Sequence, residues 1–524
     1  MPWPSEDRAA ATIVATRLKV GLEVHVELDT RTKMFTRAGN PASLEFESAA
    51  PNTLIDPVVL ALPGALPVLN ERAIELSIRV GLALGCSIAE LTRWDRKSYF
   101  YPDLPKGYQI SQYALPLCFD GSVDWPIEAD GSEKRIGIVR AHLEEDAGKL
   151  LHEAPGGRPI DHSIVDLNRA GTPLLEIVTQ PDFDAPVQVV NFARTLRTVC
   201  RFVGASRCVM QKGHIRFEPN INCVLEMDDG RTVTTPISEI KNLNSFRSLE
   251  MAIRAELAAQ PERWREDGRE MGPGEKVTRG WDDAKNTTFV QREKEDAHDY
   301  RYFPDPDLLP TPIDPEWVST IRAALPELPH RRAERYRDDY GLSAADAAAL
   351  SAERGESDLF EAIITHLVGD AGGSDRQEAA RQSANLLLQA GRQLANERSG
   401  DDEVPTLDAL GFSAQQAAGI VKLRMDNAIS ASSVPQLLAH LSGTDDDAQA
   451  AAESLGLLQV TDESALEKWC DEALAEPANA ASVADVKSGK QQAIGRLIGS
   501  VMSKSGGQAD AKAVRAILLN KLGQ

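Results

Sequence analysis

The 524-residue sequence predicts an α+β protein: a mixed-sheet domain over residues 1–311, an all-helical domain over 312–404, and a small helical tail over 405–524. Three observations carry that expectation. Before about residue 293 several runs alternate apolar and polar residues with period two, as strands with one face in a core do. A cluster of prolines from Pro304 to Pro315 then reads as a domain exit. Beyond it strands disappear, and Ala, Leu, Glu and Arg recur at helical spacing. A chain of this length is too long for one core, and roughly three domains of about 150 residues are expected.

With 42% hydrophobic and 26% charged residues, the composition excludes a disordered or fibrous chain. The first residues, MPWPSEDRAAATIVATRL, have acidic residues where a signal peptide would carry basic ones. No apolar run approaches the roughly 18 residues needed to span a bilayer, so a cytoplasmic protein is expected. The six cysteines are scattered without a CxxC pair, which argues against a zinc ribbon or a disulfide framework and for buried thiols. A formal net charge of -22 argues against non-specific polyanion binding, because lysines and arginines on phosphates dominate such affinity. One segment departs from that balance: residues 481–524 carry seven basic and two acidic residues, a net of +5.

In chain order, LKVGLEVHVEL (18–28) places Val20, Leu22, Val24, Val26 and Leu28 on one face and Glu23, His25 and Glu27 on the other. Taken by itself, the second face reads more readily as a solvent face. Residues 31–69 read as loops. A helix then follows Asn70 as N-cap, with Ile74, Leu76, Val80 and Leu84 apolar and Gly85 at its end. In RKSYFYPDLPKGYQISQ (96–112), Pro102 and Pro105 disfavour helix. Arg96, Lys97 and Lys106 among its tyrosines suit either a nucleotide contact or a rigid loop packed on a sheet. A strand over 135–144 puts Arg140, His142 and Glu144 on one face. Another over 215–226 does the same for Arg216, Glu218, Asn220 and Asn222, with Pro219 suggesting an edge or a bulge. Between them a helix starts at Asp184 and Pro186, with Val189, Phe192, Leu196, Val199 and Val203 as its apolar stripe. The last helices, KQQAIGRLIGSVMSKS and AKAVRAILLNKL, are amphipathic and basic.

The densest chemistry lies between Arg140 and Asp182. His142, Glu144, Glu145, Asp146 and His152 fall within eleven positions, beside Lys149 and ahead of a Gly171-Thr172-Pro173 turn. No P-loop, GxGxxG, HExxH or nucleophile elbow is present. What remains is a set of hard oxygen ligands, Glu23, Glu144, Glu145, Asp146 and Glu218, with His25 and His142. Such a set suits Mg²⁺ or Mn²⁺ better than structural zinc. A lysine (Lys149) and arginines (Arg140, Arg216) nearby fit phosphoryl transfer, although metal-assisted hydrolysis draws on the same residue types.

The motifs GLEVHVEL, TKMF, LPGALPVLN, RKSYFYPDLPKGYQISQ, HLEEDAGK, DLNRAGTPLLEIVTQPD, SEIKNLNSF, TRGWDDAK and DAHDYRYFPDPDL run almost without interruption from residue 20 to 310. Together they resemble the B-subunit family of the heterotrimeric aspartyl/glutamyl-tRNA amidotransferases. GLLQVTDESALEKWCDEAL and KSGKQQAIGRLIGSVMSKSGGQAD are similar to that family's helical segment and tail. The resemblance implies one member of a glutamine-dependent carbon–nitrogen ligase, with the sheet domain as its catalytic cradle. It would activate the side-chain carboxylate of Glu-tRNA(Gln) or Asp-tRNA(Asn) with ATP and Mg²⁺, and ammonia from a partner glutaminase, the A-subunit, would complete the amide. A small C-subunit would brace the pair. By the same resemblance, Glu23, His25, His142, Glu144 and Glu145 are the catalytic set, and Glu23, His25, Glu144 and Glu218 the metal ligands. Glu218 stands where many relatives have aspartate.

Lys149, Arg140 and Arg216 are expected at phosphate, the lysine from its charge alone. Lys487, Lys490, Arg496, Lys504, Lys512 and Arg515 are expected on tRNA. No zinc is expected, because the segments in which many relatives place cysteine pairs hold residues such as Thr36, Asp56 and Val59. Metal analysis of the purified protein should then find no stoichiometric zinc. The rival readings are a non-catalytic tRNA-binding scaffold and a metal-dependent hydrolase that works without ATP.

Overall fold

The structure, a computed structural model, describes residues 12–154, 156–293, 300–369, 374–398, 406–460, 462–488 and 490–523. The reading of the first eleven residues, the 296–299 portion of the DAHDYRYFPDPDL motif and the 404/405 boundary lie outside them. The chain divides into two compact units, Met1–His330 and Arg331–Gln524.

The first unit is built on a ten-stranded sheet. Its centre comprises β1 (Ile13–Glu27), β4 (Lys134–Glu145), β5 (Pro173–Thr179), β6 (Ile215–Met227), β7 (Ser238–Lys241) and β8 (Val277–Asp282), in the order β8-β7-β6-β1-β5-β4. The pairs are antiparallel except β7 with β8, so the sheet is mixed, as predicted. A separate hairpin, β2 (Asp95–Ser98) and β3 (Tyr108–Ser111), contains most of the aromatic and proline-rich segment.

Alternation decides which face of the sheet is dry. Val20, Leu22, Val24 and Val26 are at most 1% exposed and share a core with Ile74, Leu76 and Val80 of α1 (Glu71–Ala83) and with Val189, Phe192 and Leu196 of α2 (Pro186–Phe202). The α1 N-cap is Asn70, whose side chain accepts from Ala73 N at 3.2 Å, and Gly85 takes the left-handed conformation at the helix end (φ 67°). All six cysteines are buried thiols.

Pro219 corrects one expectation. It lies in an interior strand, in regular register opposite Leu22, with no bulge there. The sheet tolerates it because β7 pairs with β6 at Asn220 and Ile221, so Pro219 stands where that pairing has ended.

The second unit is helical throughout its described residues and holds two apolar cores. One gathers residues from Tyr336 to Ala452, and the other residues from Leu466 to Leu522. No described helix is long and apolar enough to cross a membrane.

Candidate functional site

The polar face of the central strands forms a lattice of charge. Strand register sets Arg216, His25, Glu176 and His142 side by side in one row across β6, β1, β5 and β4. The adjacent row holds Glu218, Glu23, Val178 and Arg140. The row on the other side holds Glu27, Leu174 and Glu144. Side chains two residues apart share a strand face, so all of these point the same way.

The Gly171-Thr172-Pro173 turn fixes that register. Gly171, at φ 84°, donates to Asp146 O at 2.9 Å, and Asp146 N donates to Thr172 O at 2.9 Å, which clasps the end of β4 to the start of β5. Buried Lys33 braces the same loop, with Nζ donating to Ala170 O at 2.7 Å and Leu167 O at 3.2 Å. Burial holds its pKa down at about 8.

Two carboxylate-rich triads lie on this face, each with ligand atoms within 4.8 Å of one another: His25, Glu144 and Glu176, and Glu23, Glu218 and Glu239. In the first, His25 Nε2 is 3.4 Å from Glu176 Oε2 and 3.9 Å from Glu144 Oε1. Its other nitrogen, Nδ1, is 3.7 Å from Glu218 Oε1, so the imidazole stands between the two triads. His142 Nε2 reaches Glu176 Oε2 at 3.9 Å. In the second triad, Lys241 donates to Glu218 Oε2 at 2.6 Å, and Lys276 lies 3.5 Å from Glu23 Oε1 and 3.3 Å from Glu239 Oε2. Hard carboxylate oxygens with one imidazole and no thiolate fit a Mg²⁺-like cation, which would displace the proton that His25 shares with Glu176.

The electrostatics separate like groups. Burial opposes a charge on His25, but its hydrogen bond to Glu176 and the charges of Glu218 and Glu176 outweigh burial and lift its pKa to about 9. Burial instead pushes His142 down to about 4, which leaves it neutral. Burial, together with the Glu176 charge, raises Glu144. Glu176 is held well below the usual range despite its burial, by the hydrogen bond and charge of His25 and the charge of Lys97. Two carboxylates and two imidazoles in contact therefore carry different protons, the condition for dividing acid, base and electrostatic roles.

The structure distributes the sequence-predicted residues unevenly. Glu23, His25, His142, Glu144, Glu218, Arg140 and Arg216 share the face. Glu145 is buried at the strand end, where it accepts from Ile110 N of β3 at 3.0 Å and from Lys106 just ahead of that strand. Glu144 meets the same hairpin through Ser111 Oγ at 3.4 Å. Arg216 is engaged by Asp146 at 2.6 Å, whereas Arg140 makes no ion pair among the described residues and leaves its buried Nε without a hydrogen bond. Lys149 is exposed on a separate hairpin, Lys149–Ala154 with Arg158–Asp166, and makes no ion pair among the described residues. Lys97 of β2 stands there instead. Burial opposes its charge, but Glu144 and Glu176 raise its pKa.

Sequence reasoning missed Glu176, Glu239 and Lys276. Glu176 had a signal, a lone carboxylate inside the apolar run LLEIV. Glu239 and Lys276 had none, since their place depends on the register of β7 and on the approach to β8. Where a zinc knot is not expected, the Thr36 hydroxyl donates to Asp56, whose Oδ1 accepts from Val58 N and Val59 N at 3.0 Å each.

In the second unit Lys490, Lys504 and Lys521 are paired with Asp485, Glu476 and Asp471 at 2.9, 3.3 and 2.7 Å. Lys487, Arg496, Lys512 and Arg515 are exposed and make no ion pair among the described residues.

Comparison with known proteins adds an independent line. A family model described as the GatB/GatE catalytic domain matches residues 18–319, and one described as a GatB domain matches 374–522. The chain is 42% identical over 502 residues to the aspartyl/glutamyl-tRNA(Asn/Gln) amidotransferase B-subunit of Rhodopirellula baltica, covering 96% of each. It is 40% identical to the protein of that name from Thermoanaerobacter pseudethanolicus and 42% identical to that from Thermomicrobium roseum, covering 96% of this chain and 98% of the relative in each case.

Proposed function

The chain belongs to the B-subunit family of the aspartyl/glutamyl-tRNA(Asn/Gln) amidotransferases, and from that premise we propose that it amidates misacylated tRNA by way of an acyl phosphate. In this reading an oxygen of the side-chain carboxylate of Glu-tRNA(Gln) or Asp-tRNA(Asn) attacks the γ-phosphorus of ATP, the β–γ bridging P–O bond breaks, and ADP leaves. Ammonia then attacks the acyl carbon, phosphate departs and the nitrogen loses a proton. A poor leaving group has been exchanged for a good one. The ammonia comes from the partner glutaminase, the A-subunit, with a small C-subunit to complete the heterotrimer and the cytoplasm as the place of work.

The observation that supports this reading best is the pair of in-register triads, flanked by Lys97 and the unpaired Arg140. Phosphoryl transfer asks a protein mainly to align donor and acceptor oxygens and to neutralise charge. Glu144, Glu176 and, once it has given up its proton, His25 would hold one Mg²⁺ ion and Glu23, Glu218 and Glu239 a second, supplying charge neutralisation at the transferring phosphoryl group. Arg140 and Lys97 would orient phosphate oxygens. Neutral His142 is placed to hold Glu176 in position, and Glu145 is placed to anchor the β2–β3 hairpin over the site. The tail helices would bind tRNA through Lys487, Arg496, Lys512 and Arg515, with Lys490 and Lys504 contributing less.

The test is reconstitution with the two partner proteins and assay on both misacylated tRNAs. Amide formation should require ATP together with glutamine or ammonia. Glu144→Gln should abolish tRNA-dependent ATP hydrolysis while tRNA remains bound. Normal turnover in that variant removes Glu144 from the reaction, and product formed without ATP favours the hydrolase.

A further inference from the structure

On the side of the sheet away from the triads, a cavity of about 220 Å³ lies between the outer strands and a helix, α3 (Phe246–Asp267). Ser238 of β7 stands beside Ile221 in register and shares its side with the core residue Ile240, whereas Glu239 between them faces the triads. Val277 and Arg279 of β8 pair with Ser238 and Ile240, and Val290 of β9 (Thr287–Glu293) pairs with Arg279, so all of these lie on the far side. Gln260, Arg263, Trp264 and Asp267 recur at helical spacing on one stripe of α3 and form the other wall.

At the inner end the charges do not balance. Glu256 is fully buried and outside the cavity wall. It accepts two bonds from Arg263, one of them at 3.2 Å, and lies 3.3 Å from Arg279 Nε. Two guanidiniums thus share one carboxylate. Burial lowers the Arg279 pKa, and the Arg263 charge adds to that against the pull of Glu256. Arg279 uses Nε and Nη2 on Thr288, at 2.9 and 3.2 Å, and leaves Nη1 without a hydrogen bond among the described residues. The Ser238 hydroxyl, 4% exposed, receives only long bonds of 3.4 Å from Gln260 and Arg263, and it donates to nothing among the described residues. At the rim Arg269 is answered by Glu275 at 2.6 Å, and Asp267 is exposed.

Buried polar groups are nearly always partnered, so an idle hydroxyl proton and an idle guanidinium edge at one cavity call for an acceptor. The surplus positive charge calls for that acceptor to be an anion. The donors stand on two strands and the added charge on a helix, an arrangement that suits a tetrahedral anion better than a flat carboxylate. We propose that this cavity binds a phosphate dianion, held by Arg279 and Ser238 and balancing the charge that Arg263 adds. The sheet separates it from the triads, and the proposal is independent of the chemistry assigned to them. Free inorganic phosphate and the terminal phosphate of a phosphomonoester present the same chemistry.

The experiment is equilibrium dialysis of the reconstituted heterotrimer against labelled inorganic phosphate or labelled glycerol 3-phosphate. Ionic strength is held with chloride, and Mg²⁺ is omitted so that the triad carboxylates repel the ion. The wild type should bind saturably at millimolar concentration. Arg279→Gln should weaken binding about tenfold, the order expected for a lost charge-assisted hydrogen bond. Arg279→Lys, which keeps a charge beside Glu256, and Ser238→Ala should each weaken it a few-fold with thermal midpoints near the wild type, and they decide the matter if Arg279→Gln is unstable. Arg140→Gln, on the opposite face, should bind as the wild type does. Preference for inorganic phosphate assigns the free ion, and glycerol 3-phosphate bound as tightly or more so assigns a phosphomonoester. Three results overturn the proposal: no saturable binding of either anion, loss of binding in Arg140→Gln, or unchanged binding in both Arg279→Lys and Ser238→Ala. Displacement by acetate as readily as by sulfate would remove phosphate as the ligand.

Discussion

The two units bury carboxylates in opposite ways. In the helical unit Glu356, fully buried, is matched by Arg392 through two bonds of 2.8 and 2.6 Å and accepts from Leu407 N at 3.0 Å. On the sheet face, the cations His25, Lys97, Lys241 and Lys276 are shared among Glu23, Glu144, Glu176, Glu218 and Glu239. A bidentate pair with both carboxylate oxygens engaged is a structural device, and breaking it costs fold stability. A crowded face of shared charges is one that a cation or a substrate can enter without breaking a dedicated pair, which is the contrast that our proposal rests on.

The largest expected effect falls on the sheet face. Glu176→Gln should lower tRNA-dependent amidation about a thousandfold, or roughly 4 kcal/mol of transition-state stabilisation, while leaving the thermal midpoint within a few degrees of the wild type. A Gln variant that melts far below the wild type would place Glu176 with the structural carboxylates and dissolve the contrast. The mirror image is Glu356→Ala. It should destabilise the helical unit by about 3 kcal/mol in denaturant titration, because Arg392 loses its partner, and should leave ATP chemistry in the surviving folded fraction unchanged. A stability like that of the wild type would show the pair to be idle.

A smaller effect divides the tail. Replacing Lys487, Arg496, Lys512 and Arg515 together by alanine should weaken tRNA about tenfold at low salt and flatten the salt dependence of binding, whereas the paired set Lys490, Lys504 and Lys521 should matter less. Equal losses from both sets, read by filter binding, would mean that the intramolecular pairs open on the RNA. The smallest effect concerns Lys33. Its pKa of about 8 lies below the value near 10.4 of an unfolded lysine, so between those values the unfolded chain holds a proton that the folded one has released. Stability therefore rises with pH in that window, and the wild type should gain about 1 kcal/mol over Lys33→Met between pH 8 and 9. A difference independent of pH would mean that the ammonium stays charged in the fold.

Alternation along single strands is enough to place Glu23, His25, His142, Glu144, Glu218, Arg140 and Arg216 on polar faces, because the side-chain period is set by the backbone alone. What alternation cannot supply is which strand lies beside which. Glu176 joins His25 and His142 only because β5 inserts between β1 and β4, and Glu239 joins Glu23 only through the pairing of β7 with β6. Lys149 falls away from its expected place for the complementary reason: nearness in sequence to Glu145 is not nearness in space, since the chain has already left the sheet there to form another hairpin. The strands of the first region and the change to helices after the prolines are legible because each depends on local periodicity. The fit of Pro219 in an interior strand is not, since it depends on where a neighbour's hydrogen bonds stop.

The clasp between Asp146 and the Gly171-Thr172 turn has a consequence for how the gene tolerates change. Each functional row is spelled out by pairing register, and sliding a strand by one residue turns every side chain to the other face. A single-codon deletion within β1 or β5 would swap a valine, leucine or isoleucine for each functional residue beyond it, leaving a chain of almost unaltered composition with an erased site. The same deletion in the 128–133 loop would shorten a connection and little else. In-frame deletion scanning should therefore trace these strands as sharp blocks of lost function, with edges that fall at the turn.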